Sequence, residues 1–173
     1  PPDPDWDGGP DFDAAEPDSQ NAPSSEQETT RGIGVIPGMP GTGLLDGGQV
    51  ADLIARGAKV RPVGTPNDEP EPGYRPSAAL DRWIRLRDLT CRFPGCDRPA
   101  ARSDIDHTIP WPAGATHPSN TKIYCRKHHL VKTFWAGFTD RQNPDGTVEF
   151  TTPTGHTYTT RPLSTLLFPH TDT

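Results

Sequence analysis

Apolar positions come in short clusters along this chain, and Pro and Gly cut most of them off. Residues 33–43 are apolar but broken at several Pro and Gly residues. In residues 44–58, Val50, Leu53 and Ile54 fall at helical spacing and Gly57 offers a stop, which predicts one short helix. Residues 59–63 (KVRPV) read as a short strand, and residues 64–76 as a Pro-rich linker. Ser77 is an N-cap candidate for a helix over Ala78 to Asp88. That helix puts Leu80, Trp83, Ile84 and Arg87 on one side and Arg82 and Arg85 on the other. Residues 102–109 (RSDIDHTI) alternate and predict a strand. Pro110, Pro112, Gly114 and Pro118 force a loop, and a helix is expected from Ile123 to Trp135. Residues 147–151 and 156–160 are β-rich around Pro153-Thr154-Gly155, which predicts a hairpin. No internal repeat is visible.

Composition limits the size of the core. Hydrophobic residues make up 31% of the chain, which carries 22 Pro and 17 Gly, so the folded part is expected to be well short of 173 residues. Residues 1–32 are acidic, Pro-rich and nearly free of aliphatic side chains, and read as a disordered tail. Residues 33–63 read as the remnant of an upstream domain, residues 77–140 as the main module, and residues 141–173 as a hairpin and tail. The chain begins with Pro, so it is expected to be a piece of a longer protein. No apolar run reaches the ~20 residues of a membrane span, and no signal peptide is visible, so the expected location is cytoplasmic.

The net charge of -6 hides an uneven distribution. Residues 1–30 hold nine acidic and no basic residues. Residues 75–138 hold 11 Arg or Lys against 5 Asp, a local charge of +6 that suits a polyanion such as DNA.

Three cysteines cannot all pair as disulfides, but they can bind a metal with one histidine. Cys91 and Cys96 form a C-x4-C pair; Cys125 and His128 form a C-x2-H pair about thirty residues on. A closed Cys3His set is a structural zinc site, with apparent binding energies of about 10–16 kcal/mol, a large contribution for so small a core. His129 follows His128 directly, and helix neighbours point about 100° apart. One can close the zinc site while the other faces elsewhere; spacing alone does not say which. Neighbours in a strand point to opposite faces, so Asp106 and His107 reach one site only if the strand ends in a bend here. Asp106 would then be an oxygen ligand for a hard divalent ion and His107 an imidazole able to take a proton from water.

Asp106-His107, then Pro110 and Gly114, then Asn120, then Cys125-Arg126-Lys127-His128-His129-Leu130-Val131-Lys132, together resemble the HNH endonucleases, the ββα-metal nucleases. The resemblance covers residues 75–140 and is closest to the C-terminal HNH module of actinobacterial proteins with a long helical N-terminal domain. It implies a small α+β fold, a ββα-metal module stapled by a Cys3His zinc knuckle. His107 is then the general base. Asp106 and His129 hold a Mg²⁺ or Mn²⁺ ion, Asn120 orients the base and braces the loop, and His128 is the fourth zinc ligand. Arg82, Arg85, Arg126, Lys127 and Lys132 are expected to grip phosphates. Two positions depart from the family pattern. Thr133 stands where a further metal ligand often lies, and Ala113-Gly114 replaces a Gly-Gly. The expected function is metal-dependent DNA hydrolysis, with nicking by a monomer. The alternative is a zinc-stapled nucleic-acid-binding module without catalysis.

Overall fold

The computed structural model describes residues 33–35 and 43–168. The acidic tail lies outside them.

Two short strands, β1 (Ile33–Val35) and β2 (Leu44–Asp46), pair antiparallel and lead into helix α1 (Gly47–Ala55). Asp46 caps α1 by accepting from the Gln49 amide at 2.9 Å, while the Gln49 side chain accepts from the Asp46 amide at 3.0 Å. No residue of α1 is buried; Leu53 and Ile54 face solvent. The strand expected over 59–63 does not form. Pro62 cannot donate to a ladder, and Val60 and Val63 stay exposed.

Helix α2 (Ala78–Asp88) starts where expected, with the Ser77 hydroxyl accepting from the Leu80 amide at 3.2 Å. Leu80 and Ile84 are buried with Ala100 and Ile123, and Trp83 and Ile105 pack against them. Strands β3 (Asp104–His107) and β4 (Thr121–Tyr124) pair antiparallel, setting Asp106 opposite Lys122 and His107 opposite Thr121. Helix α3 (Arg126–Phe134) follows at once. The helix expected from Ile123 thus begins three residues later, because Thr121 to Tyr124 are all buried in the β3–β4 pair and Cys125 is the N-cap.

The expected hairpin is present as β6 (Val148–Thr151) and β7 (Thr157–Thr160), and β5 (Thr139–Gln142) adds a third strand. Phe150 carries this sheet onto a second cluster with Cys91, Tyr124 and Cys125. Helix α4 (Leu163–Leu167) closes the described chain against α2.

A buried ionic hub ties the pieces together. The fully buried Asp88 carboxylate accepts from Arg87 Nε at 2.8 Å, Arg92 Nη1 at 3.0 Å and the Ile123 amide at 2.9 Å. Arg92 Nη2 continues to Gly146 O at 3.0 Å and Thr160 O at 2.8 Å, locking the C-terminal sheet to the module. Buried charges persist only with such partners, since removing one leaves the other desolvated and unpaired.

Candidate metal centre and acid–base site

Cys91, Cys96, Cys125 and His128 bring one ligand atom each to within 4.8 Å of one another, close enough to hold a single metal ion. The Cys91–Cys96 knuckle turns at Gly95, whose φ of 72° favours glycine. His128 Nδ1 lies 3.5 Å from Cys91 Sγ and 3.4 Å from Cys125 Sγ. In a tetrahedral zinc site, sulfur and nitrogen ligands stand about 3.6 Å apart, so these separations fit. Phe93 stacks on the His128 ring at 3.7 Å and fixes its plane. Burial pushes the Cys91 and Cys96 thiols up, and burial with Lys127 and Arg98 nearby pulls His128 down. A neutral imidazole is the ligand form, and a bound dication would reverse the penalty on the thiolates.

The second group sits on the other side of α3. His129 Nδ1 lies 2.9 Å from Asp104 Oδ2, and His129 Nε2 lies 3.3 Å from Asp106 Oδ1. Asp104 and Asp106 share a face of β3 because strand side chains alternate. Asp104 was not anticipated as a site residue, although that i,i+2 spacing was visible in the sequence. His129 is raised, chiefly by its hydrogen bond to Asp106, and its two ring nitrogens face the two carboxylates. Two donors on one octahedral ion with bonds of about 2.1 Å stand about 3.0 Å apart, so the spacing of Asp106 Oδ1 and His129 Nε2 fits a hard dication.

The other oxygen of Asp106 faces two ammonium groups, Lys122 Nζ at 2.9 Å and Lys132 Nζ at 2.8 Å. Lys122 is fully buried and also meets Asp140 Oδ2 at 2.8 Å and Thr108 Oγ1 at 2.7 Å. Burial alone would raise Asp106; His129, Lys122 and Lys132 outweigh it and hold the carboxyl well below the usual range. Lys122 and Asp140 were not legible as site residues, since only the strand register brings them to Asp106.

His107 ends β3 and is buried, 6% exposed as a residue. Its Nε2 lies 2.8 Å from Thr116 Oγ1, and Thr116 Oγ1 donates to Gly73 O at 2.6 Å. A hydroxyl has one proton. With that proton on Gly73 O, the Thr116 oxygen must accept from His107, which puts hydrogen on Nε2 and leaves the lone pair on Nδ1. Burial lowers His107, which favours its neutral form. The Tyr74 ring stacks on it at 5.3 Å. The segment read as a linker therefore reaches the site. Nothing in the pattern of residues 64–76 signalled this.

Asn120 does not touch the His107 ring. Its Oδ1 accepts from the Ile109 amide at 2.8 Å, and its Nδ2 donates to Ile109 O at 3.0 Å and Ala115 O at 2.8 Å. It braces the loop, whereas the contact to the His107 ring belongs to Thr116. Gly114 is needed there, because a Cβ would come within 2.6 Å of Asn120 Nδ2.

Two residues expected to grip phosphates are engaged inside the fold. Arg85 donates to Asp81 and to the carbonyls of Ala100 and Ser103, all within reach of its helix face. Lys132, 12% exposed, donates to Asp106 and to His107 O at 2.5 Å, neutralising a buried carboxylate. Arg82 and Lys127 are exposed; Arg126 is exposed too, with Asp104 3.2 Å away. Thr133 turns its hydroxyl back onto His129 O at 2.8 Å. Among the described residues, no helix is long and apolar enough to cross a membrane.

The chain is similar to uncharacterized proteins of Mycobacterium tuberculosis. Rv2100 is 52% identical over 165 residues, which cover 94% of this chain and 29% of that protein. Rv3776 is 54% identical over 143 residues, covering 78% of this chain and 28% of that protein. The chain thus spans less than a third of the length of these relatives. No family model matches the chain, and no solved structure matches it.

Proposed function

We propose that this chain is a metal-dependent nuclease of the HNH kind that hydrolyses DNA phosphodiester bonds, with the Cys3His cluster holding a structural zinc ion. One observation carries the reading: Asp106 Oδ1 and His129 Nε2 face each other at 3.3 Å, and the next residue along β3, His107, meets Thr116 through Nε2, which leaves its Nδ1 to take a proton. The order of β3, β4 and α3, with the Cys3His staple behind α3, supports the same reading.

A Mg²⁺ or Mn²⁺ ion on Asp106 and His129 would supply positive charge to the scissile phosphate and the leaving oxygen. Asp104 fixes the His129 ring so that Nε2 points at Asp106. His107 takes a proton from the attacking water at Nδ1, with Thr116 holding the tautomer. Lys132, at the rim of the ionic network, places a further positive charge beside Asp106. Arg82, Arg126 and Lys127 offer exposed charge to flanking phosphates without reading sequence. A single such centre cuts one strand, so a monomer nicks.

The test is plasmid nicking with added Mg²⁺ or Mn²⁺, comparing the chain with His107→Ala. Metal-dependent nicking lost in His107→Ala is the expected result; equal nicking by both proteins would defeat the mechanism.

A second reading has its own observation. Asp106 already faces two ammonium groups, and Thr133 offers no third ligand. Both weaken ion binding and favour a zinc-stapled module that binds nucleic acid without cutting it. DNA retention at low salt with no nicking under any divalent ion would select this reading.

A further inference from the structure

Two exposed aromatic rings stand over the acid–base site, and neither belongs to a core cluster. Tyr74 is 55% exposed, with one face stacked on the His107 ring at an interplanar angle of 19°. Trp111, 44% exposed, meets Tyr74 edge-on at 6.1 Å and 64°. They come from separate stretches of chain, the segment before α2 and the loop after β3.

Tyr74 is held in place. The Glu71 amide donates to Thr116 O at 2.9 Å, and Thr116 Oγ1 donates to Gly73 O. The Glu71 carboxylate accepts from the Ser77 amide and the Ser77 hydroxyl, each at 2.6 Å. These bonds tie the backbone on both sides of Tyr74, one to the loop and one to the N-cap of α2. Tyr74 also lines a polar cleft with Arg75, Arg126, Asp104 and His129. A flat apolar surface thus lies beside exposed guanidinium groups and the candidate ion ligands.

A rigid aromatic surface beside positive charge suits a nucleobase stacked on the ring while its phosphate meets the arginines. In an intact duplex both faces of a base are already stacked on its neighbours. An unpaired base is free to take such a position.

We infer that Tyr74 and Trp111 form a stacking platform for an unpaired DNA base, which makes single-stranded or frayed DNA the preferred substrate of this site. The inference builds on the nuclease reading, but its first readout is binding, which does not require cleavage.

The experiment measures fluorescence anisotropy of a labelled oligothymidylate and of a blunt duplex of equal length. It uses the zinc-loaded chain without added Mg²⁺ or Mn²⁺, and plasmid nicking is assayed in parallel. The single strand should bind about tenfold more tightly than the duplex. Trp111→Ala and Tyr74→Ala should each weaken single-strand binding about 5- to 100-fold, the range for losing one stacked base, and change duplex binding less than about twofold. Tyr74→Phe should bind as the parent does, since the ring is what stacks. Because Tyr74→Ala also uncovers His107, Trp111→Ala is the cleaner variant. Equal affinity for single strand and duplex, or unchanged single-strand binding by Trp111→Ala, overturns the platform even if the parent nicks plasmid. Single-strand preference lost in Trp111→Ala, with no nicking by the parent, sustains the platform and sinks only the nuclease reading.

Discussion

Thr116 Oγ1 accepts a hydrogen bond from His107 Nε2 at 2.8 Å because the one proton of its hydroxyl goes to Gly73 O. Two neutral groups thereby decide which imidazole nitrogen is available as a base. Removing the hydroxyl removes that decision. Thr116→Val should fold and retain zinc, but lose about 10–100-fold in turnover, part of the usual range for acid–base catalysis. It should also cost about 1–3 kcal/mol of stability by leaving the buried His107 Nε2–H without its acceptor. Thr116→Ser should restore both. Nitrogen chemical shifts of His107 report the tautomer directly, and an unchanged Nε2–H signature in Thr116→Val would sink the argument.

The two adjacent histidines should fail in different ways. His128→Ala removes a ligand whose Nδ1 lies within 3.5 Å of two thiols, so it should lose zinc and melt early. His129→Ala should keep zinc and fold but lose nicking, with only partial rescue by Mn²⁺. His107→Ala should keep fold, zinc and DNA binding and lose about 10²–10⁴-fold in turnover. Metal analysis together with melting curves separates the three; zinc loss in His129→Ala instead of His128→Ala would show the pair reversed.

Zinc removal should unfold the centre of the molecule. Cys91, Cys125, Tyr124 and Phe150 share one buried cluster, so releasing the ion loosens the junction between the module and the C-terminal sheet. Cys91→Ser or Cys125→Ser should bind less than one zinc per chain and lose the cooperative transition. A folded, zinc-free parent protein would contradict the ligand assignment.

Lys122 is fully buried between Asp106 and Asp140. Lys122→Met leaves those carboxylates with Lys132 as the remaining ammonium group, 2.8 Å from Asp106 and 3.8 Å from Asp140, and should cost about 3–5 kcal/mol, the range for breaking a buried pair. Lys132→Met lies nearer the rim and should cost less. A chemical-denaturation midpoint for Lys122→Met equal to the parent's would show that the network contributes nothing.

Burial holds His107 below the ordinary histidine value of 6.5. Its folded pKa is therefore lower than its unfolded pKa, so the folded state binds fewer protons in between. The stability it contributes is present above pH 6.5 and is lost as pH falls through the window below it. The base stays neutral through that window, so turnover should persist below pH 6.5 and fall only at the depressed value. A turnover profile that breaks above pH 6.5 would assign the titration to another group.

What the linear sequence carried by itself was local. Ser77 and the spacing of Leu80 and Ile84 specify a helix, and the alternation through Ile105 and Asp106 specifies a strand. The spacings of Cys91, Cys96, Cys125 and His128 specify a four-ligand cluster. Each depends on residues a few positions apart, or on ligand chemistry with few other solutions. The start of α3 was misplaced because Thr121 to Tyr124 take their strand from pairing with Asp104 to His107, a long-range contact that outweighs local preference. The same register decided that Lys122 meets Asp106. Packing decided that Arg85 and Lys132 turn inward, since a buried carbonyl or carboxylate without a partner costs more than a lost surface charge. Thr116 and Tyr74 lie 9 and 33 positions from His107; only the folded chain makes one its hydrogen-bond partner and the other its cover.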